Sequence, residues 1–137
     1  MTCLLKEQKF ECRVSSVLNK NVKSYGKQFM FDDDGETCWN SDSGSPQWVL
    51  ISFPQEVDLS SIEIQFQGGF AGQKSHVEAG ADSKSLEKVQ DIYPEDINTT
   101  QLFKLNSVTK AKVFKIVFES STDFFGRIII YKLSLIS

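Results

Sequence analysis

Phe31-Asp32-Asp33-Asp34-Gly35-Glu36-Thr37-Cys38-Trp39-Asn40-Ser41, followed by Gln47-Trp48-Val49, is the stretch on which the fold turns. Asp32, Asp34 and Thr37 can offer side-chain oxygens to their own backbone around Gly35, the composition of a tight turn. A large aromatic just beyond such a turn is placed to enter a core. Trp39 is therefore expected to be buried, and so is Trp48 at the head of the next strand, each with an acceptor for its indole N–H. Trp48 and Leu50 interleave with Val49 and Ile51 in a nearly continuous apolar run, which predicts a strand covered on both faces.

Outward from this stretch the periodicity stays close to two. Ile62, Ile64 and Phe66 alternate with Glu63 and Gln65, and Ile129, Tyr131, Leu133 and Leu135 alternate with Ile130, Lys132 and Ser134. Residues 113–118 form a second nearly continuous apolar run. Turns are marked by Asp34-Gly35, Gly44-Ser45-Pro46, Phe53-Pro54, Gly68-Gly69 and Tyr93-Pro94. Only residues 85–90 have the composition of a helical turn. Short strands between Gly/Pro loops predict an all-β fold, an antiparallel jelly-roll sandwich of two packed sheets. One domain over residues 10–137 is expected, with residues 1–9 as a flexible tail.

A chain of 137 residues can bury roughly 70% of its unfolded surface, and a 40% hydrophobic content with 11 Phe can fill the core without a disulfide or metal staple. The 15 basic and 18 acidic residues give a net charge of −3, and the cations form no stripe for phosphate neutralisation, so direct nucleic-acid binding is not expected. Leu4-Leu5 is too short for a signal-peptide core, and no segment approaches a membrane span. Cys3, Cys12 and Cys38 are odd in number and form no C-x-x-C pair, which predicts reduced thiols of the cytosol or nucleus. With His76 they are the chain's soft ligands, and their spacing fits no zinc module. A single histidine, with no serine elbow and no phosphate-binding glycine loop, predicts a protein that is not an enzyme. Glu95 and Asp96 are expected to be solvated, and Asn98-Thr99-Thr100, though it fits a glycosylation acceptor, to be an ordinary loop.

Arg13-Val14-Ser15-Ser16-Val17, the stretch quoted above, Ile62-Glu63-Ile64-Gln65-Phe66-Gln67-Gly68-Gly69 and Phe114-Lys115-Ile116-Val117 together resemble the discoidin family, the coagulation factor V/VIII type C or galactose-binding-like jelly rolls. In that resemblance they are the first strand, the turn, the central strand and the penultimate strand. The Asp-Phe-Phe-Gly-Arg run at residues 123–127, with Tyr131 beyond it, is similar to a small nuclear-receptor-associated branch of the family. Secreted members commonly join first and last strands by a disulfide; Cys12 offers one end, but residues 128–137 contain no cysteine. The resemblance also implies a structural Ca²⁺ at the loop matching Asp32, Asp34 and Thr37, completed by a last-strand Glu. Here Lys132 stands near that position, and an ammonium repels a divalent ion. No cofactor is therefore expected, and the three side chains are read as caps of their own turn.

In the family, ligands and partners meet loops at one end of the sandwich, here residues 19–25, 42–46, 68–74 and 120–127. The candidate partner-binding residues are Tyr25, Phe70, Asp123, Phe124, Phe125 and Arg127. Large rings beside flexible glycines, next to an Arg, have the composition of interface anchors. Phe125 is expected to fold back as a plug of the sandwich end, while Phe70 is open between plug and anchor.

The resemblance implies an intracellular, non-enzymatic protein-interaction module of nucleus and cytoplasm. It would act as a repressor that binds an orphan nuclear receptor and hinders its binding to DNA response elements. The alternative is a glycan- or lipid-binding module like the secreted members, with Phe70 near Gln73 and Lys74, or Phe124 near Asp123 and Arg127, as its platform.

Overall fold

A computed structural model describes residues 3–137. In chain order the elements are α1 (Leu4–Glu7), β1 (Glu11–Val14), a 3-10 turn at Leu18–Lys20, α2 (Val22–Tyr25), a second 3-10 turn at Lys27–Met30, β2 (Trp39–Asn40), β3 (Gln47–Phe66), β4 (Ser75–Gly80), β5 (Glu87–Ile92), β6 (Gln101–Phe118) and β7 (Ile129–Ile136). Strand order is β2-β7-β3-β6-β4-β5, with β1 also on β3, and every pairing is antiparallel.

β3 is 20 residues long and β6 is 18, too long to stay in one flat twisted layer. Register shifts between Ser52 and Val57 and between Leu59 and Ser61 bend the pair. Their halves thus serve different layers. The Gln47–Ser52 half of β3 pairs with β1 and with the end of β6, which continues to β4 and β5, while the Ser61–Phe66 half pairs with β7 and the start of β6. In the core, rings meet edge to face: Phe66 with Phe118 between the layers at 5.6 Å, and Phe53 with its diagonal cross-strand neighbour Phe114 at 6.3 Å. Trp39, Phe66, Phe114, Phe118 and Met30 are among the largest fully buried side chains of this single core.

Four expectations are corrected. Residues 3–9 are not all tail: α1 seats Leu4 in the core and Cys3 bridges to Ile136, because β7 leaves an apolar edge for them to cover; Met1 and Thr2 lie outside the described residues. Residues 85–90 yield no helix, since Glu87–Ile92 pairs with β4 and tertiary pairing overrides local propensity. In β7 the alternation changes phase. Gln65 pairs with Lys132 but Phe66 pairs with Ile130, so Tyr131 is the extra residue of a bulge. Ile130, Leu133 and Leu135 consequently enter the core, and Tyr131 Oη donates to Gln67 Oε1 at 2.9 Å.

The tryptophans divide. Trp39 is fully buried and its Nε1 donates to the Ser16 carbonyl at 2.9 Å. Trp48 is only half-buried, because Val49 and Ile51 occupy the inward positions of β3 and period two turns Trp48 outward. Lys115 Nζ lies 4.7 Å from the centre of its ring.

Candidate functional site

Loops 42–46, 68–74 and 120–127 meet at one end of the sandwich. Thr122 N donates to Ala71 O at 2.9 Å, the Ala71 N–H donates to Thr122 Oγ1 at 3.0 Å, and Gln73 N donates to Ser120 O at 2.9 Å. Gly44 N donates to Phe125 O at 2.7 Å. The backbones of Gly44 and Gly126 approach so closely that a Cβ at Gly126 would sit 2.7 Å from Gly44 O, and Gly126 has φ +86°, so glycine alone suits the position. Gln47, buried at the head of β3, anchors the first of these loops. Its Nε2 donates to the carbonyls of Asp42 (3.0 Å) and Gly44 (2.9 Å), and its Oε1 accepts from the hydroxyls of Ser15 and Ser16.

Within the third loop the polar groups bond one another. Asp123 N donates to Ser121 Oγ at 3.0 Å, and that hydroxyl donates to Arg127 O at 2.7 Å. Asp123 Oδ2 accepts from the Arg127 backbone N at 3.1 Å and from its Nε at 3.4 Å. Gly126 N closes the turn on Asp123 O at 3.0 Å. With its polar atoms satisfied internally, the turn holds its two rings in solvent. Phe124 is 93% exposed and Phe125 64%, packed edge to face on each other at 5.3 Å. Phe125 is thus no plug: the Asp123–Arg127 cap and the positive φ of Gly126 turn the chain back before its ring can reach the core. Phe70 is half-buried beneath Arg127, whose Cζ lies 4.9 Å from the ring centre.

Phe70, Asp123, Phe124, Phe125 and Arg127 therefore form one contiguous rim. Tyr25 stands apart from that group. It closes α2 and is half-buried, and its backbone N–H donates to Asn21 O at 2.9 Å, within its own turn. Support from residues 93–100 was not legible. Asn98 Oδ1 accepts from Gly68 N at 2.6 Å and Asp96 Oδ1 from Gly69 N at 2.7 Å, so Asp96 is solvated yet also caps the Phe70 loop. An Asx residue facing a Gly-Gly pair was the available signal, but only the fold brings the two together.

The acidic turn behaves as a self-capped loop. Asp32 Oδ1 accepts from Asp34 N at 3.1 Å, Asp32 Oδ2 from the Thr37 hydroxyl at 2.5 Å, and Asp34 Oδ1 from Glu36 N at 2.9 Å. Lys132 lines the hollow beside Asp33 and Asp34, and Lys6 pairs with Asp33 at 3.3 Å. Among the described residues no three His, Cys, Asp or Glu side chains converge on a metal position. The side-chain oxygens of Asp32 and Asp34 are thus already accepting within their own turn, whereas a Ca²⁺ ion takes six to eight oxygen ligands.

His76 lies on the outer face of β4, its ring nitrogens 2.8 Å from Glu119 Oε2 and 2.7 Å from Glu78 Oε2. The hydrogen bond from His76 holds the Glu119 carboxyl below its usual range. Burial pushes the Cys12 thiol up to about 12 and raises that of Cys38, the opposite of an activated nucleophile. Among the described residues no helix is long and apolar enough to cross a membrane.

Residues 13–130 match the F5/8 type C domain, which is the greater part of the chain. The chain belongs to the F5/8 type C domain family. Relatives within it include the nuclear receptor 2C2-associated protein of Danio rerio, 51% identical over 126 residues, covering 92% of this chain and 89% of the relative. The protein of the same name from Homo sapiens is 47% identical over 124 residues, covering 90% and 88%. Solved F5/8 type C-like folds agree with the architecture. A Clostridium perfringens carbohydrate-binding module, solved with GalNAc-beta-1,3-galactose, superposes with TM-score 0.78 at 15% identity, over 93% of this chain and 95% of that one. Chitosan-binding module 1 of a Paenibacillus chitosanase/glucanase gives TM-score 0.79 at 13% identity over the whole of both chains. At such identities these likenesses establish the jelly-roll fold and nothing about ligand.

Proposed function

We propose that this chain is a non-enzymatic, intracellular interaction module that binds a nuclear receptor through its loop rim and thereby hinders the receptor's access to DNA response elements. The observation that carries the binding surface is the Phe124–Phe125 pair, two rings in solvent beside Arg127 and Phe70 on a turn whose polar groups are already satisfied. Exposed aromatics next to an Arg are the composition of energetic centres in protein interfaces. The partner class is supported by relatives of about half identity that carry the name nuclear receptor 2C2-associated protein over nearly the whole chain. With net charge −3, hindrance through the receptor suits the chain better than competition for phosphate. Nuclear as well as cytoplasmic residence follows from this role, and no resident metal enters it.

A gel-shift titration tests the reading: nuclear receptor 2C2 bound to its response element is mixed with increasing amounts of this chain. Release of DNA by the wild type, without any shift of DNA by the chain alone, is expected. Retention of the receptor on DNA, together with binding of the chain to a glycan array or lipid vesicles, would instead favour the glycan- or lipid-binding alternative.

A further inference from the structure

On the flank of the sandwich, away from the Phe124 turn, α2 and the 3-10 turn after it stand off from β1 and the head of β3. They leave a hollow of ≈ 430 Å³ lined by Arg13, Val14, Val17, Val22, Lys27 and Trp48, among others. Its walls are apolar where they could have been polar: Trp48 is half-buried and Val22 is 57% exposed. Its charges are all of one sign, since among the described residues lining it there is no carboxylate. Four of the chain's 15 cations are spent on local partners, Lys6 on Asp33, Lys74 on Glu119, Lys88 on Asp91 and Arg127 on Asp123. Among the described residues neither Arg13 nor Lys27 has an ion-pair partner, and both are exposed. Lys115, over the Trp48 ring, adds a third positive charge at the border of the hollow.

We propose that this hollow is a second docking site, distinct from the rim, which takes an acidic peptide segment of a partner protein by seating an apolar side chain on Trp48 and Val22 between carboxylates held by Arg13 and Lys27. The charge complementarity selects carboxylate-bearing partners, and the aromatic floor adds the desolvated contact that lets two cations count for more than surface pairs do. A phosphate backbone is the poorer occupant. Its binding draws on many cations and gains nothing from valine walls.

The experiment uses the intact chain and the emission of Trp48, with buried Trp39 as a constant background. Three short synthetic peptides are titrated: alternating glutamate and leucine, the same with lysine for glutamate, and the same with serine for leucine. The glutamate–leucine peptide alone is expected to shift the emission saturably, and more weakly as salt rises. Arg13→Glu combined with Lys27→Glu should weaken it about tenfold or more, while Phe124→Ala binds as the wild type does. Val22→Asp should give a similar loss, and it covers the case in which the double charge reversal fails to fold. Absence of saturable binding, equal binding by the lysine peptide, unchanged affinity in these variants, or preference for single-stranded DNA or anionic vesicles over the acidic peptide would each overturn the proposal.

Discussion

Two loops of this protein use the same capping chemistry to opposite ends. In residues 31–41, Asp32, Asp34 and Thr37 bond their own backbone, and the chain leaves the turn with Trp39 driven into the core. In residues 120–127, Ser121 and Asp123 do the same, and the turn leaves Phe124 and Phe125 in water. What differs is the backbone that follows the cap. Past the first turn the chain runs into β2, whose pairing with β7 points the indole between the sheets, whereas Gly126 with its positive φ reverses the second before either ring can turn in. A self-satisfied polar turn is thus neutral scaffolding, and the geometry after it decides whether an aromatic serves stability or surface.

The largest effect expected is in the inward case. Trp39→Ala should cost about 3–5 kcal/mol of stability, a core truncation large enough to unfold a domain of ordinary stability. Trp48→Ala, at a half-buried site, should cost only about 1–2 kcal/mol in the same denaturant melts; equal losses would erase the distinction between the two indoles. Next in size, Gly126→Ala adds a Cβ at φ +86° and 2.7 Å from Gly44 O, and should destabilise by about 1–3 kcal/mol. An unaffected melting curve there would show that the reversal does not depend on glycine. Asp32→Ala removes the acceptor for Asp34 N and the Thr37 hydroxyl and should cost about 1 kcal/mol without touching receptor binding. Smallest of all, calcium titration or EDTA should leave the thermal midpoint where it is, because those carboxylates already serve their own turn; a midpoint climbing with added calcium would make the first loop a metal site and end the analogy.

The inward half of this comparison was legible from residue order, since an Asx-rich turn before an aromatic and a period-two run is local information. Trp48 was not, because the run from Trp48 to Ile51 is apolar on both faces and the face that reaches the core is decided by pairing with β1 and β6. The β7 phase shift at Tyr131 escaped for a similar reason: a bulge is a property of two strands together. At the rim, glycines and aromatics identified Phe70, Phe124 and Arg127 as candidates. The fate of Phe125, however, depended on the contact between Gly44 and the 120–127 loop, some eighty positions apart in sequence. The caps supplied by Asp96 and Asn98, and the hollow between α2 and Trp48, likewise exist only once distant segments meet.

The most direct test measures unfolding free energy and affinity for nuclear receptor 2C2 on the same Phe124→Ala protein. With the ring 93% exposed, stability should stay within about 0.5 kcal/mol of wild type. Binding should weaken by about 2 kcal/mol, roughly thirtyfold. A variant that is folded and binds the receptor as well as wild type, or one that unfolds like Trp39→Ala, would contradict the assignment of the outward loop to recognition.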